Sequence, residues 1–178
     1  MATSVYGVES FEYAPISADG SLPTVGWKKI SPISDDAVTL TIPVASTNDI
    51  RAQDIAGIYE SLPGDTEPAT MEVSTLDVNG EQAAELLGGE WDSEEQTYDA
   101  PTGDEIKKFA VRLTSKPLNG KKVQFHFRKS TVLSNINAQF VRNDLVRIGF
   151  TAKATTPLNA SGVPQSPWGF KIIDIPAA

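Results

Sequence analysis

Apolar and polar residues alternate with a period of two over much of the chain, which is the pattern of β-strands that have one face packed on a core. The run VRIGFTAKA shows this clearly. One side of each predicted strand carries Val38, Leu40 and Ile42; Met71, Val73 and Thr75; Phe109, Val111 and Leu113; Val123, Phe125 and Phe127; Ile136, Ala138 and Phe140; or Val146, Ile148, Phe150 and Ala152. This pattern predicts antiparallel strands that face solvent on their other side.

Turn signals separate these runs. Asn119 and Gly120 lie between two alternating runs and predict a hairpin, with Pro117 lengthening its loop. Asn143 and Asp144 predict a second hairpin. The run WGFKIIDI follows Pro167 and predicts a closing strand.

One helix is predicted, over about residues 80–87. Asn79 is its expected N-cap, Gln82 is placed to complete a capping box, and Gly88 suits a C-terminal position with positive φ. Ala83, Leu86 and Leu87 form its apolar stripe at i, i+3 and i+4. A helix of about two turns is not stable alone, so we expect this stripe to pack on a sheet or on one open end of a β-sandwich or barrel.

A long segment of about residues 44–68 connects two predicted strands without a sustained hydrophobic period. Connections of this length within a compact domain are usually functional or disordered. The segment contains Ile50, Ile55, Ile58, Tyr59 and Leu62, which argues against a permanently solvated tether. We therefore expect a projecting arm or β-ribbon that docks on something, possible partners including another subunit.

These elements together predict a mainly β, antiparallel β-sandwich or barrel with one short flanking helix and a long projecting loop or ribbon. The chain has 178 residues, of which 40% are hydrophobic and 21% charged. This length and composition are typical of one globular domain, so we expect a single domain over residues 1–178.

Charge is distributed unevenly along the chain. Residues 1–105 carry 21 acidic and 3 basic side chains, whereas residues 106–178 carry 12 basic and 2 acidic ones, for a formal net charge of −8. Either the two halves pair within one fold, or acidic and basic faces meet between subunits. A sequence pI near 4.6 opposes tight binding of nucleic acid.

Candidate catalytic and metal chemistry is sparse. The chain has no cysteine and a single histidine, His126, which alternates with Phe125 and Phe127 and is expected at a surface or interface. We expect no catalytic site, no cofactor and no metal. The N-terminal residues lack a signal-peptide pattern, and no apolar run reaches the roughly 18 residues of a membrane span, so we expect a cytosol-like environment.

The order of elements in residues 36–101 resembles the major tail tube protein of long-tailed, siphovirus-like bacteriophages. The resemblance rests on the strand VTLTIP, the arm TNDIRAQDIAGIYESLPGDTEPA, the strand TMEVSTLDV, the short helix in GEQAAELLGG and the acidic loop that ends TYDAP. The type VI secretion tube protein and contractile-tail tubes are similar in fold.

This resemblance implies a structural virion protein that is made in the host cytoplasm and is not an enzyme. Such proteins form six-membered rings that stack head to tail into a hollow conduit for DNA, which passes without specific binding. The implied partners are further copies of the chain and the tail terminator, tape-measure and baseplate or tip proteins, with no membrane. The long loop between early strands reaches the neighbouring ring in that family, which implies contacts by Asp49, Ile50, Arg51, Asp54, Ile58, Tyr59, Glu60 and Leu62.

Two other functions fit a β-sandwich. A carbohydrate-binding module would use exposed aromatic residues such as Trp27, Trp91 and Trp168, although these are dispersed in turn-rich segments. A minor tail or decoration protein of a virion is structurally close to the tail tube interpretation.

Overall fold

The computed structural model describes residues 6–34, 38–51, 53–54, 56–76, 79–103, 106–137 and 147–175. The elements in these ranges are β1 (Val8–Pro15), β2 (Lys28–Ile30), β3 (Thr39–Thr41), β4 (Thr47–Ile50), β5 (Glu60–Pro63), β6 (Thr70–Thr75), α1 (Gly80–Leu87), β7 (Glu90–Asp92), β8 (Thr97–Asp99), β9 (Lys107–Ser115), β10 (Lys121–Asn137), β11 (Arg147–Ala154) and β12 (Trp168–Asp174).

Within these ranges eight strands form the main sheet, and all of its pairs are antiparallel. The order is β2-β1-β9-β10-β11-β6-β3, with β12 also paired to β10. The 17-residue strand β10 joins the two parts of the sheet: its first half pairs with β12, and its second half pairs with β11. Two separate ribbons, β4-β5 and β7-β8, complete the strands of the described residues.

The main sheet folds over on itself to make two layers. β9 and β10 separate β1 from β11 in the strand order, yet the rings of Phe11 and Phe150 meet edge to face at 5.4 Å between centroids. Tyr13 packs in the same way on Phe109 at 5.3 Å. Within the described residues the strand order does not close on itself. The prediction of a mainly β sandwich with one short helix is therefore confirmed, and the barrel alternative does not describe this sheet.

Most of the predicted apolar faces form the core. Met71, Val73 and Thr75 are buried, as are Phe109, Val111, Leu113, Ile148, Phe150 and Ala152. Ile136 lies opposite the buried Ile148 and so shares its face, but Ile136 is exposed. Ile42 is likewise exposed beyond the end of β3. Ala138, Phe140 and Val146 lie outside the described residues.

The first predicted hairpin is confirmed. Asn119 and Gly120 have φ of 51° and 72° between β9 and β10, the conformation of a type I′ turn. The turn at Asn143 and Asp144 lies outside the described residues, although β10 and β11 pair antiparallel on either side of it. The predicted closing strand is β12.

The predicted helix forms over the expected residues, but not with the full capping box. The side-chain oxygen of Asn79 accepts hydrogen bonds from the backbone nitrogens of Glu81 at 3.0 Å and Gln82 at 3.3 Å. The capping-box prediction for Gln82 is wrong, because its side-chain nitrogen donates to the backbone oxygen of Lys29 on β2 at 3.2 Å. Gly88 has the expected positive φ of 84°, yet its ψ of −172° is extended, so the chain runs directly into β7.

Helix α1 packs on the sandwich through part of its predicted stripe. Ala83 and Leu86 are buried, whereas Leu87 is only half-buried. Gly80 lies against the ring of Trp91 so closely that an added Cβ would stand 2.1 Å from its nearest carbon. The helix is therefore held between β10 and the β7-β8 ribbon.

A polar contact also joins α1 to strands β1 and β2. The Glu85 carboxylate accepts hydrogen bonds from the Tyr13 hydroxyl and the Lys28 ammonium, each at 2.8 Å. Burial, followed by the hydrogen bond to Glu85, raises the pKa of the Tyr13 phenol above its ordinary value of 10. The same carboxylate raises the pKa of Lys28.

Candidate functional site

The predicted arm is a two-stranded β-ribbon. β4 and β5 pair antiparallel, with Ile50 opposite Glu60 and Asn48 opposite Leu62. At the tip the Tyr59 nitrogen donates to the Ile50 oxygen at 2.8 Å, and at the root the Gly64 nitrogen donates to the Ser46 oxygen at 2.9 Å. Every described residue in 44–63 is exposed. The structure thus brings together the eight residues implied for the arm on one ribbon: Asp49 and Ile50 on β4, Glu60 and Leu62 on β5, and Arg51, Asp54, Ile58 and Tyr59 in the connection between them.

The ribbon has two chemically different faces. Residues directly opposite each other in an antiparallel pair share a face, so Ile50 and Leu62 lie on one side together with their polar partners Glu60 and Asn48, and both apolar side chains are 43% exposed. Asp49 and Ser61 lie on the other side, where the Ser61 hydroxyl donates to the Asp49 carboxylate at 2.6 Å. Two strands alone are marginally stable in water, so a ribbon with exposed apolar side chains is suited to packing on a partner.

A second exposed apolar surface lies on β12. Phe170 stands opposite Phe125 with ring centroids 5.8 Å apart, and Ile172 stands opposite Val123. Val123 is buried and Phe125 half-buried, whereas Phe170 and Ile172 are 58% and 48% exposed. The core-side face of the sheet therefore continues onto β12, where the described residues leave it exposed.

Two grooves flank these elements. One, of about 400 Å³, lies beside the helix and is lined by Leu87, Ile106 and Leu133 among others. The other, of about 340 Å³, lies at the root of the ribbon and is lined by Ile42, Pro68 and Trp168 among others. Both are open to solvent, and their walls contain polar as well as apolar groups.

Part of the charge asymmetry is satisfied within the chain. Lys122 pairs with Glu9 at 2.6 Å, and Arg112 pairs with Glu12 across neighbouring strands. Both pairs join an acid of the first 105 residues to a base of the remainder. Pairing of the two halves within one fold therefore accounts for some of the basic residues. Four other lysines remain exposed: Lys108, Lys116, Lys153 and Lys171.

The acidic loop of the sequence contains the β7-β8 ribbon. Its two strands pair from Glu90 and Asp99 to Asp92 and Thr97. The Asp92 carboxylate accepts hydrogen bonds from the backbone nitrogens of Glu94 and Glu95, which lower its pKa. The carboxylates of Asp92, Glu94 and Glu95 are exposed at this short turn, so they give the tip of the β7-β8 ribbon a negative potential.

The three tryptophans occupy separate environments. Trp27 stacks under the Arg112 guanidinium, 4.2 Å from its ring centroid, and donates to the Pro23 oxygen at 2.9 Å. Trp91 packs against the start of α1, and Trp168 lines the groove at the ribbon root. Each ring is half-buried in a different contact, so they do not form one flat aromatic platform.

His126 lies on the solvent side of β10, opposite Arg112 on β9 and Gly169 on β12. It is half-buried, and burial, followed by the charges of Arg128 and Lys171, lowers its pKa. Within the described residues no group of three or more histidines and carboxylates is arranged to hold a metal ion. Over the same ranges, no helix is long and apolar enough to cross a membrane.

Neither the family models nor the curated proteins that we searched gave a match to this chain. The exposed face of β12 was missed from sequence, although its Phe170 and Ile172 alternate with Lys171 in the way that marks an amphipathic strand. Glu85 was also missed, because its partners Tyr13 and Lys28 are remote in sequence.

Proposed function

We propose that this protein is a tail tube subunit of a long-tailed bacteriophage. Copies of it assemble into six-membered rings, and the rings stack into the hollow conduit through which DNA leaves the capsid. The observation that carries the proposal is the exposed ribbon of residues 44–68, whose apolar side chains find no cover in the described part of its own chain.

The ribbon supports self-assembly on energetic grounds. Ile50, Leu62, Ile58 and Tyr59 are exposed side by side on it or at its tip. Removing apolar surface from water is worth about 25 cal/mol per Å², so covering such side chains against a neighbour contributes several kcal/mol for each contact. Homo-oligomers reuse the same contact in every copy, which makes one ribbon per subunit sufficient for a continuous tube.

The charge distribution supports the role of a conduit. A net charge of −8 per subunit repels a DNA backbone, and the repulsion keeps DNA from adhering as it slides. The bases after residue 105 that stay exposed are available to the acids of the arm and of the 90–105 loop on a neighbouring subunit. In this proposal DNA passes through the tube without specific binding. The proteins that the subunit binds are further copies of the chain and the terminator, tape-measure and baseplate or tip proteins of the tail.

Charge reversals on the ribbon test this proposal. We expect Arg51→Glu and Glu60→Lys each to lower the yield of assembled material, measured by high-speed pelleting and negative-stain electron microscopy. Lys29→Glu and Glu72→Lys are matched controls, since both residues are exposed on strands of the main sheet and belong neither to the arm nor to the bases after residue 105. Circular dichroism and thermal unfolding verify that each variant is folded. Unchanged yield of tubes for both ribbon reversals would contradict the role of the arm.

A further inference from the structure

The free edge of β12 is unlike the other edges of the main sheet. β12 has seven residues and pairs with β10 along one side, and its other side pairs with no described strand. The remaining edges, β2 and β3, have three residues each, and β2 carries Lys28 and Lys29. Edge strands of three residues offer few backbone groups for pairing, whereas a longer edge with exposed apolar side chains is a template for a further strand.

The two faces of β12 differ in chemistry. Phe170 and Ile172 lie on the core side, and Lys171 lies on the solvent side and is exposed. Among the described residues Lys171 forms no ion pair. A strand that adds to β12 is therefore favoured if it places an apolar side chain beside Phe170 and Ile172. An acidic side chain on its opposite face would lie beside Lys171.

Strand β4 of the ribbon offers an apolar side chain on one face and an acidic side chain on the other. Within β4, Ile50 and Asn48 belong to the face that carries Leu62 and Glu60 of β5, and the neighbouring Asp49 belongs to the opposite face. With β4 beside β12, Ile50 continues the surface of Phe170 and Ile172, while Asp49 comes next to Lys171. A slip of one residue would place the Asp49 carboxylate beside Phe170 or Ile172 of β12, so the alternation also fixes the register.

We propose that the ribbon of one copy adds to β12 of a second copy, with Asp49 beside Lys171. The inference rests on the proposed function and names the surface that the arm meets in a neighbouring subunit. The contact lies between two copies and not within one chain, because the side chains that would form it are exposed in the single chain. These are Ile50, Leu62, Phe170 and Ile172. Backbone hydrogen bonds between strands supply affinity, and the alternating side chains supply specificity.

Cysteine cross-linking tests the contact directly, because the chain has no cysteine of its own. Asp49→Cys and Lys171→Cys variants, one enlarged by a tag, are mixed and mildly oxidised. Residues opposite each other on adjacent strands have Cβ atoms about 4.5–5.5 Å apart, close enough for a disulfide after a small adjustment. We expect a mixed dimer of the size expected for one tagged and one untagged chain.

The control pairs Asp49→Cys with Lys153→Cys, since Lys153 is an exposed lysine on another strand. Cross-linking that is no greater for Lys171→Cys than for Lys153→Cys would overturn the inference. Electron microscopy of the same samples separates the two claims. Tubes without the specific cross-link overturn the docking surface alone, and the cross-link without rings or tubes supports the docking surface and counts against the tail tube.

A charge exchange provides the second test. Asp49→Lys and Lys171→Asp are each expected to weaken association about two- to fivefold per contact, as for an exposed ion pair. The double variant is expected to recover most of this loss, because every copy then again presents opposite charges at the contact. A double variant that assembles no better than the weaker single variant would overturn the inference.

Discussion

Leu86→Ala tests the attachment of α1 to the sandwich. Leu86 is 4% exposed and belongs to the same buried cluster as Phe109 and Val132. Replacing a buried leucine by alanine costs about 2–5 kcal/mol, depending on how far the site can relax. Leu86 also lines the open groove beside the helix, so the space left by the substitution joins that groove. We therefore expect the free energy of unfolding to fall by about 2–3 kcal/mol, at the lower end of this range.

Urea unfolding at neutral pH measures this loss as a lower midpoint with an unchanged m-value. For a chain of this size, 1 kcal/mol corresponds to about 2–4 °C, so the thermal midpoint should fall by about 4–12 °C. Leu87→Ala is the matched control: its side chain is only half-buried, and we expect about 1 kcal/mol or less. A cost for Leu87→Ala that equals or exceeds that of Leu86→Ala would refute the assigned packing of the helix.

Three further substitutions test local features. Asn79→Ala should lower the free energy of unfolding by about 1 kcal/mol through loss of the N-cap, and Asn79→Asp should retain most of it in the same urea titration. Gly80→Ala should cost about 1–3 kcal/mol, because its Cβ displaces the Trp91 ring, and a near-neutral result would disprove that contact. For His126, the pKa is lower in the folded than in the unfolded chain, so its contribution to stability is present above its ordinary pKa of 6.5 and declines as pH falls below it. His126→Asn should therefore flatten the fall in stability between neutral and mildly acidic pH, and an unaltered slope would contradict the burial of the imidazole.

Local sequence signals predicted the features that depend on neighbouring residues. The alternation in residues 146–152 places Ile148, Phe150 and Ala152 in the core, and Asn119 with Gly120 forms the turn that their chemistry favours. The cap at Asn79 was predictable for the same reason, because its acceptor and its donors lie within three residues.

Features that depend on remote residues were not predictable from one sequence. Gln82 bonds to Lys29 instead of closing a capping box, and this follows from where β2 lies in the folded chain. Ile136 and Phe170 keep the strand alternation of their elements, yet both side chains are exposed. Periodicity identifies the face on which a side chain lies, whereas its burial is decided by the layer that packs over it.

Self-assembly is the central claim, and light scattering of the purified protein across a concentration series, with negative-stain images of each fraction, tests it most directly. We predict rings or hollow tubes of uniform diameter that become more abundant as concentration rises. A strict monomer at every concentration, up to the limit of solubility, would contradict the claim.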